Sequence, residues 1–595
     1  MIRNYFKIAF RNLTKNKVYS FINIFGLAIG ITTCLIITLF IQDELSYDKF
    51  NEKADQIVRV VFKAKMNGEL IKEASTMAPT AQTLKKDYPE VLAGTRLRSY
   101  GTLKVSANDK IFRDDKFAYA DANFFEVFTL PFVKGDAKTA LIEPNTIVIT
   151  QAIANKYFGN TDPMGRVLNL KDQEKLYKIT GVIAEIPANS HFHFDLFGSM
   201  ESLPAAKSPT WLESNFYTYL VLPEGYDYKQ LEAKLPQVVE KYMGPQIKES
   251  MGVSLSEFRK KGNDVGLFLQ PLLDIHLKSD FSSNSTLEPS GDIRYVYIFG
   301  AIALFMLLIA CINFMNLSTA GASKRAKEVG IRKVLGSVKT ELMVQFLLES
   351  FILTFISLFL ALILVKISLP TFNGLSGKNL DFNLISNPIL MINILLFGLL
   401  VSVLAGSYPA FFLSSFKPIA VLKSKFISNN KGISFRSGLV VFQFIISVIL
   451  ILSTTVVYQQ LSYIQNKKLG YDKEQLLVMR NTYLLGNNEV IFRNQLEKDP
   501  RVASVTTSGY LPAGPTNVNM SGVYPDEQMT QNRRSLIYQI DDKYIPTMGM
   551  NMVSGRNFSK DFLTDSLNVI INETMAKILG WGKNPIGHTL LPFVL

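Results

Sequence analysis

Hydrophobic positions along this chain fall into two regimes. In five stretches they crowd together almost without charge: 18–42, 295–322, 342–365, 382–416 and 437–466. Elsewhere they alternate, or recur at helical spacing, among ordinary polar residues. A helix needs about 20 apolar residues to cross the hydrocarbon core of a bilayer, so each stretch predicts a membrane span. The first is long for the apolar core of a cleaved leader and no clear A-x-A site follows it, which predicts an uncleaved span. Within it Gly26 and Gly30 form a G-x-x-x-G pair, a spacing that lets another helix approach closely. Glu349 interrupts the third stretch near its basic end. A carboxylate at that depth is either a functional group or an interfacial one bonded to a neighbouring helix or to water. Pro370 and Gly374 predict a short loop before the fourth span, and Gly406 and Pro409 break that span near its end.

The second regime fills 43–293 and 467–595. Residues 57–65, 145–150, 176–186 and 216–223 alternate β-branched and polar positions and predict strands, while 79–88 and 151–158 predict helices. The first block therefore reads as an α+β domain, and the second as a shorter domain of similar kind.

Charge then orients these elements. Residues 1–20, 319–342 and 413–437 together carry a net +14, against +13 for the whole chain, so the remainder is close to neutral. Lys and Arg are retained on the cytoplasmic side of a membrane, and five spans starting inside place all three basic segments there. The basicity is thus a topology signal rather than a phosphate-binding face, and no nucleic-acid partner is predicted. Residues 1–17 read as a basic amphipathic segment on the inner surface, with Ile2, Phe6, Ala9, Phe10 and Leu13 on one face. The loop 417–436 is a second inner segment, and 323–341 a third.

That third segment holds KRAKEVGIRKVLG (324–336), with five bases against the single acid Glu328. As a helix it places Val329, Lys333 and Gly336 on one side and Arg325, Glu328 and Arg332 on another. It reads either as a solvated basic loop or as a helix that docks on a soluble partner.

The two polar blocks share a repeat. VITQAIANKYFGNTDPMGRVL (148–168) aligns without gaps to IINETMAKILGWGKNPIGHTL (570–590), with identities at Ile149/Ile571, Ala154/Ala576, Pro163/Pro585, Gly165/Gly587 and Leu168/Leu590. FFEVFTLPFVKG (124–135) parallels YIPTMGMNMVSG (544–555). A duplicated unit of one span, one domain and three spans is the simplest reading. On that reading the second unit stops inside its domain, and three further spans are expected beyond it.

The motifs resemble a known family. KEVGIRKVLGSVKTELMVQFLLES (327–350) and LAGSYPAFFLSSFKPIAVLK (404–423) resemble the two cytoplasmic signatures of MacB/FtsX-type permeases of ABC transporters. RNLTKNKVYSFINIFGLAIGI (11–31) and FRSGLVVFQFIISVIL (435–450) are similar to the starts of the family's two halves. NSHFHFD (189–195) and LQPLLDIHL (269–277) resemble the outer domain of its Bacteroidetes-type members. The resemblance implies an inner-membrane, multi-pass permease with MacB-like periplasmic core domains, which forms a homodimer or pairs with another permease. It implies a separate cytoplasmic ABC ATPase that binds the ATP. It assigns ATPase coupling to Lys327, Glu328, Gly330, Arg332, Lys333 and Gly336. Where an outer membrane is present, a periplasmic adaptor and an outer-membrane channel are candidate partners that no residue pattern marks.

Other chemistry finds little support. No G-x-x-x-x-G-K-[ST] run cradles phosphate, so the chain is not its own motor. The two cysteines, Cys34 and Cys311, lie inside apolar runs and predict neither a disulfide framework nor a zinc site. His191, His193 and Asp195 alternate onto one face, a pattern that fits a metal site or ordinary strand polarity, with Phe192 and Phe194 forming the core face. No catalytic or cofactor constellation is predicted. Two functions remain: the permease subunit of an ATP-driven exporter or mechanotransmission complex, and an FtsX-like regulator or scaffold of cell-envelope hydrolysis or antibiotic sensing. The duplication favours the first.

Overall fold

The computed structural model describes residues 11, 17–66, 68–100, 103–107, 110–114, 116–170, 175–281, 286–320, 329–383, 388–415, 430–467, 469–480, 482–509, 520–525, 533–582 and 584–592. The amphipathic segment 1–17, most of the loop 417–436, and Lys324, Lys327 and Glu328 lie outside them or nearly so. The chain divides into two units, Met1–Ile449 and Leu450–Leu595.

Among the described residues, five helices are long and apolar enough to span a membrane. Span 1 is Lys17–Glu44, span 2 Ile293–Ala320, span 3 Lys339–Ser376, span 4 Pro388–Ser414 and span 5 Asn430–Asn466. Spans 1 to 4 share one apolar seam in which Leu27, Ala28 and Ile31 meet Leu307, Ala310, Leu353, Ala361, Val401 and Ala405. Their other faces carry exposed Phe21, Leu304, Phe359 and Leu395, as lipid-facing helices do. Gly30 sits where spans 1 and 2 press closest: a Cβ there would stand 2.5 Å from that of Ala310. Gly26 faces Asn313 with more room, 3.5 Å. Cys34 and Cys311 are buried free thiols. Glu349 is buried on span 3, beside a Ser350 that abuts Gly406 of span 4.

Two expectations are overturned, one of them in span 4, which runs unbroken through Gly406 and Pro409 to Ser414. The loop predicted at Pro370 and Gly374 is helix: span 3 continues through Pro370 to Ser376. A proline removes one helical hydrogen bond, but neighbouring helices sustain the turn inside a membrane bundle. The helix instead stops at Gly377, whose φ of +67° is open to glycine without strain.

Between spans 1 and 2 lies the large domain, a mixed sheet with helices packed on it. Along the sheet the strands run Asp264–Pro271, Ile57–Met66, Tyr217–Val221, Ala93–Ser99, Phe117–Ala120, Leu196–Ser199, Thr146–Thr150, Lys175–Ile183, Val167–Leu170, Leu103–Ala107 and Lys110–Asp114. Two pairings are parallel, Lys175–Ile183 with Thr146–Thr150 and Leu196–Ser199 with Phe117–Ala120. Side chains of a strand alternate between faces. Ile147 and Ile149 therefore pack with Ile153 and Tyr157 of the helix Gln151–Phe158, whereas Val148 joins Phe124, Phe128 and Phe197 on the other face. Near the middle, buried Arg96 holds Asp121 through two bonds of 2.9 and 3.0 Å and donates to the carbonyls of Ala78 (2.7 Å) and Ala206 (2.9 Å).

The second unit has a three-stranded antiparallel sheet, Arg533–Leu536, Met520–Pro525 and Leu590–Pro592. A small core gathers Tyr544, Ile545 and Met548. The aligned repeat positions adopt matching local structure in the two units. Thr150 caps Gln151–Phe158 by accepting from the Ile153 amide, and Asn572 caps Glu573–Ile578 by accepting from the Met575 amide. Gly135 and Gly555 share positive φ, as do Gly165 and Gly587. The strand that precedes the helix in the first unit has no counterpart at 568–572.

Candidate functional site

The segment that joins spans 2 and 3 is helical over 329–334. Val329 is its anchor, buried among Leu342 and Phe346 of span 3 and Ala410 and Leu413 of span 4. Gly330 is buried beside it, and Gly336 closes the turn with φ +102°. The two cations point back into the protein. Arg332 Nη1 donates to Oε1 of buried Gln345 at 2.5 Å, and Lys333 Nζ donates to the Ser414 carbonyl at 2.6 Å. Burial, and then the nearby Lys339 charge, hold the Lys333 ammonium below the usual lysine range. A span of backbone that binds the first turns of span 3 and the last residue of span 4 cannot shift without moving both.

Solvent meets a different face. Ile331, Val334, Leu335 and Val338 are 48, 64, 80 and 54% exposed. Ile331 and Val334 lie one turn apart on the short helix, Leu335 follows in the turn, and Val338 is the residue that leads into span 3. The charges of this segment mark it in the sequence, whereas the exposure of these four apolar residues is visible only in the fold. An exposed apolar patch on a loop between membrane spans is suited to a partner protein.

At the other end of the spans, the domain side, a second polar group forms. Lys378 follows Gly377 and reaches Asp43 (2.8 Å), Glu44 (2.6 Å) and the Tyr47 hydroxyl (3.1 Å). Its burial opposes the charge, but the bonds to Asp43, Glu44 and Tyr47 outweigh that and raise the ammonium above the ordinary lysine range. The other Glu44 oxygen meets His276 Nε2 at 2.8 Å, and the Tyr47 ring stacks on His276 with centroids 3.4 Å apart. Next along the chain, Asp48 (φ +60°) is buried and bonds His191 Nδ1 at 2.8 Å, while His191 Nε2 meets the Tyr219 hydroxyl at 2.8 Å. Asn189 donates to the carbonyl and hydroxyl of Ser46 at 3.0 Å. Both histidine-bearing motifs, 189–195 and 269–277, thus hold the turn at the end of span 1.

His193 lies apart from His191. Its Nδ1 faces the Glu288 carboxylate at 2.8 Å and its Nε2 the Pro187 carbonyl at 3.0 Å. Both partners are acceptors, so the doubly protonated ring satisfies both. Burial disfavours that charge, but Glu288 outweighs it and raises the imidazole above its ordinary 6.5. Among the described residues no group of three or more His, Cys, Asp or Glu could hold a metal ion. A group whose folded value is raised contributes stability in full below the unfolded value, and loses it as pH rises through the folded one. We expect the thermal midpoint of the large domain to fall on raising the pH above 6.5. The fall should shrink in His193→Gln and in Glu288→Gln, measured by differential scanning fluorimetry on the whole chain. An identical pH profile in both variants would contradict this.

A cavity of about 360 Å³ opens beside Lys378, lined among others by Asp43, Tyr47, Lys116, His193 and Asp195.

The MacB-like periplasmic core domain family matches residues 20–238, and the FtsX-like permease C-terminal family matches 300–418. The macrolide export ATP-binding/permease protein MacB of Campylobacter jejuni is 31% identical over 124 residues, 21% of this chain and 19% of that protein. The chain therefore spans about a fifth of the length of that relative. YvrN, an ABC transporter permease of Bacillus subtilis, is 20% identical over 370 residues, 58% of this chain and 82% of that protein. Among solved structures, a permease domain from Porphyromonas gingivalis aligns at 22% identity and TM-score 0.33, covering 37% of this chain and 91% of that one. The periplasmic region of MacB from Actinobacillus actinomycetemcomitans aligns at 13% identity and TM-score 0.25, covering 37% and 91%. The chain is a multi-pass membrane protein with a periplasmic-type α+β domain, and it belongs to the MacB/FtsX-type permeases of ABC transporters.

Proposed function

We propose that this chain is the membrane subunit of an ATP-driven export or mechanotransmission complex, and that it couples a separate cytoplasmic ATPase to movement of the large domain. ATP is bound by that partner. The segment 324–338 faces the cytoplasm with the other basic segments, the large domain faces the periplasm, and a second permease subunit completes the pair. The membrane is the bacterial inner membrane.

The observation that supports this best is the loop itself. Its cations brace it to spans 3 and 4, while Ile331, Val334, Leu335 and Val338 stand exposed. A docking surface needs an apolar centre that partner contact can desolvate, and it needs rigid backing to transmit force.

A detergent pull-down from membranes tests the reading. The chain should recover a P-loop ATPase, and Val334→Asp with Leu335→Asp should cut that recovery at least about ten-fold, the cost of burying charge in such a centre. Absence of any ATPase with the unaltered chain would contradict the proposal.

A further inference from the structure

Span 3 is one helix of 38 residues, about 57 Å long at 1.5 Å per residue. Its two ends do related work. At the loop end, Gln345 and Phe346 hold Arg332 and Val329. At the domain end, the helix stops at Gly377 and the next residue is Lys378.

Lys378 gathers both stems of the large domain. Asp43, Glu44 and Tyr47 form the entry stem, where the chain leaves span 1. His276 lies on the exit stem shortly before span 2, and it is tied to the same Glu44. The group is largely withdrawn from water: the side chains of Lys378, Glu44 and His276 are 17, 9 and 8% exposed. Phe40 and Tyr47 place their rings near the ammonium, 5.9 and 4.8 Å from its nitrogen. The Lys378 ammonium is the charge that Asp43 and Glu44 share, and Glu44 bonds His276 besides. Removing one partner of a buried ion pair leaves uncompensated charge, which costs far more than an exposed pair contributes.

We propose that Lys378 is a positioning residue that seats the large domain on span 3, so that a displacement of span 3 at the loop reaches both stems of the domain together. This deepens the coupling reading and rests on it for the source of the displacement. The seat itself does not need a partner to be seen.

The test uses the whole chain in nanodiscs, with its ATPase, in a Cys34→Ala, Cys311→Ala background. Spin labels are placed at Lys85→Cys, exposed on the helix Thr80–Asp87, and at Leu375→Cys, exposed near the end of span 3. Without nucleotide, the Lys378 protein should give one narrow distance distribution. Lys378→Met should widen it at least about two-fold, because buried Glu44 and half-buried Asp43 lose their shared counter-charge. Lys378→Arg, which keeps the charge, should restore the narrow distribution. On adding ATP, the mean distance should shift with Lys378 or Arg at this position, and Lys378→Met should lose more than half of that shift. Glu44→Gln is the second variant, should Lys378→Met fail to insert, and it should widen the distribution in the same direction. Narrow distributions in both variants overturn the proposal. Widening by the variants, with no nucleotide-driven shift in the parent, leaves the seat standing and overturns the coupling reading instead.

Discussion

Reversing both cations of the loop, Arg332→Glu with Lys333→Glu, should uncouple ATP hydrolysis from the permease while leaving the protein in the membrane. Arg332 donates to Gln345 at 2.5 Å and Lys333 to the Ser414 carbonyl at 2.6 Å. A hydrogen bond to a charged group contributes about 1.5–3 kcal/mol, so losing two should lower the braced population of the loop by about a hundred-fold or more. A glutamate at 333 also faces a carbonyl oxygen, which repels it. The spans keep their apolar seam, so insertion should persist. The reading to take is substrate-stimulated ATP hydrolysis in the reconstituted complex, beside the amount of chain in the membrane. Unchanged stimulation would mean that the braces carry no coupling.

Replacing Arg96 by Met should destabilise the large domain by about 3–5 kcal/mol, the usual cost of stranding one partner of a buried charge pair. Arg96 bridges three groups from distant parts of the chain: the Asp121 carboxylate through both its oxygens, and the carbonyls of Ala78 and Ala206. Met fills the volume but strands the carboxylate and two buried carbonyls. Urea unfolding followed by tryptophan fluorescence reports it, since Trp211 is buried in the same domain. A change below about 1 kcal/mol would show that water replaces the guanidinium without loss. Arg96→Lys should recover only part of the stability, because an ammonium cannot form the two-point contact with Asp121.

Local patterns were legible in the sequence and distant pairings were not. The alternation at 57–65 became the strand Ile57–Met66, and the predicted helix 151–158 formed over Gln151–Phe158, because burial of one face decides both. The five apolar runs became helices because each is long and apolar enough to cross a bilayer. Span 3 ran past its predicted end because Pro370 marks a helix boundary only where no neighbouring helix supports the turn. The loop stands out by its charges, yet its exposed apolar patch is Ile331, Val334, Leu335 and Val338. Charge alone could not say which way Arg332 and Lys333 turn, since that depends on Gln345 and Ser414. The roles of His191 and His276 were out of reach: their partners Asp48 and Glu44 lie 143 and 232 residues away. Lys378 meets Asp43 across 335 residues, a pairing that only the fold creates.

The central claim is that action at the loop reaches the large domain across the membrane. Hydrogen–deuterium exchange in the complete permease–ATPase complex tests it most directly, by comparing residues 43–48 and 189–195 with ATP and with ADP. Coupling predicts that exchange in both stretches changes on ATP binding, and that Val334→Asp with Leu335→Asp abolishes the change. Identical exchange with ATP and ADP, in a complex that hydrolyses ATP, would contradict it.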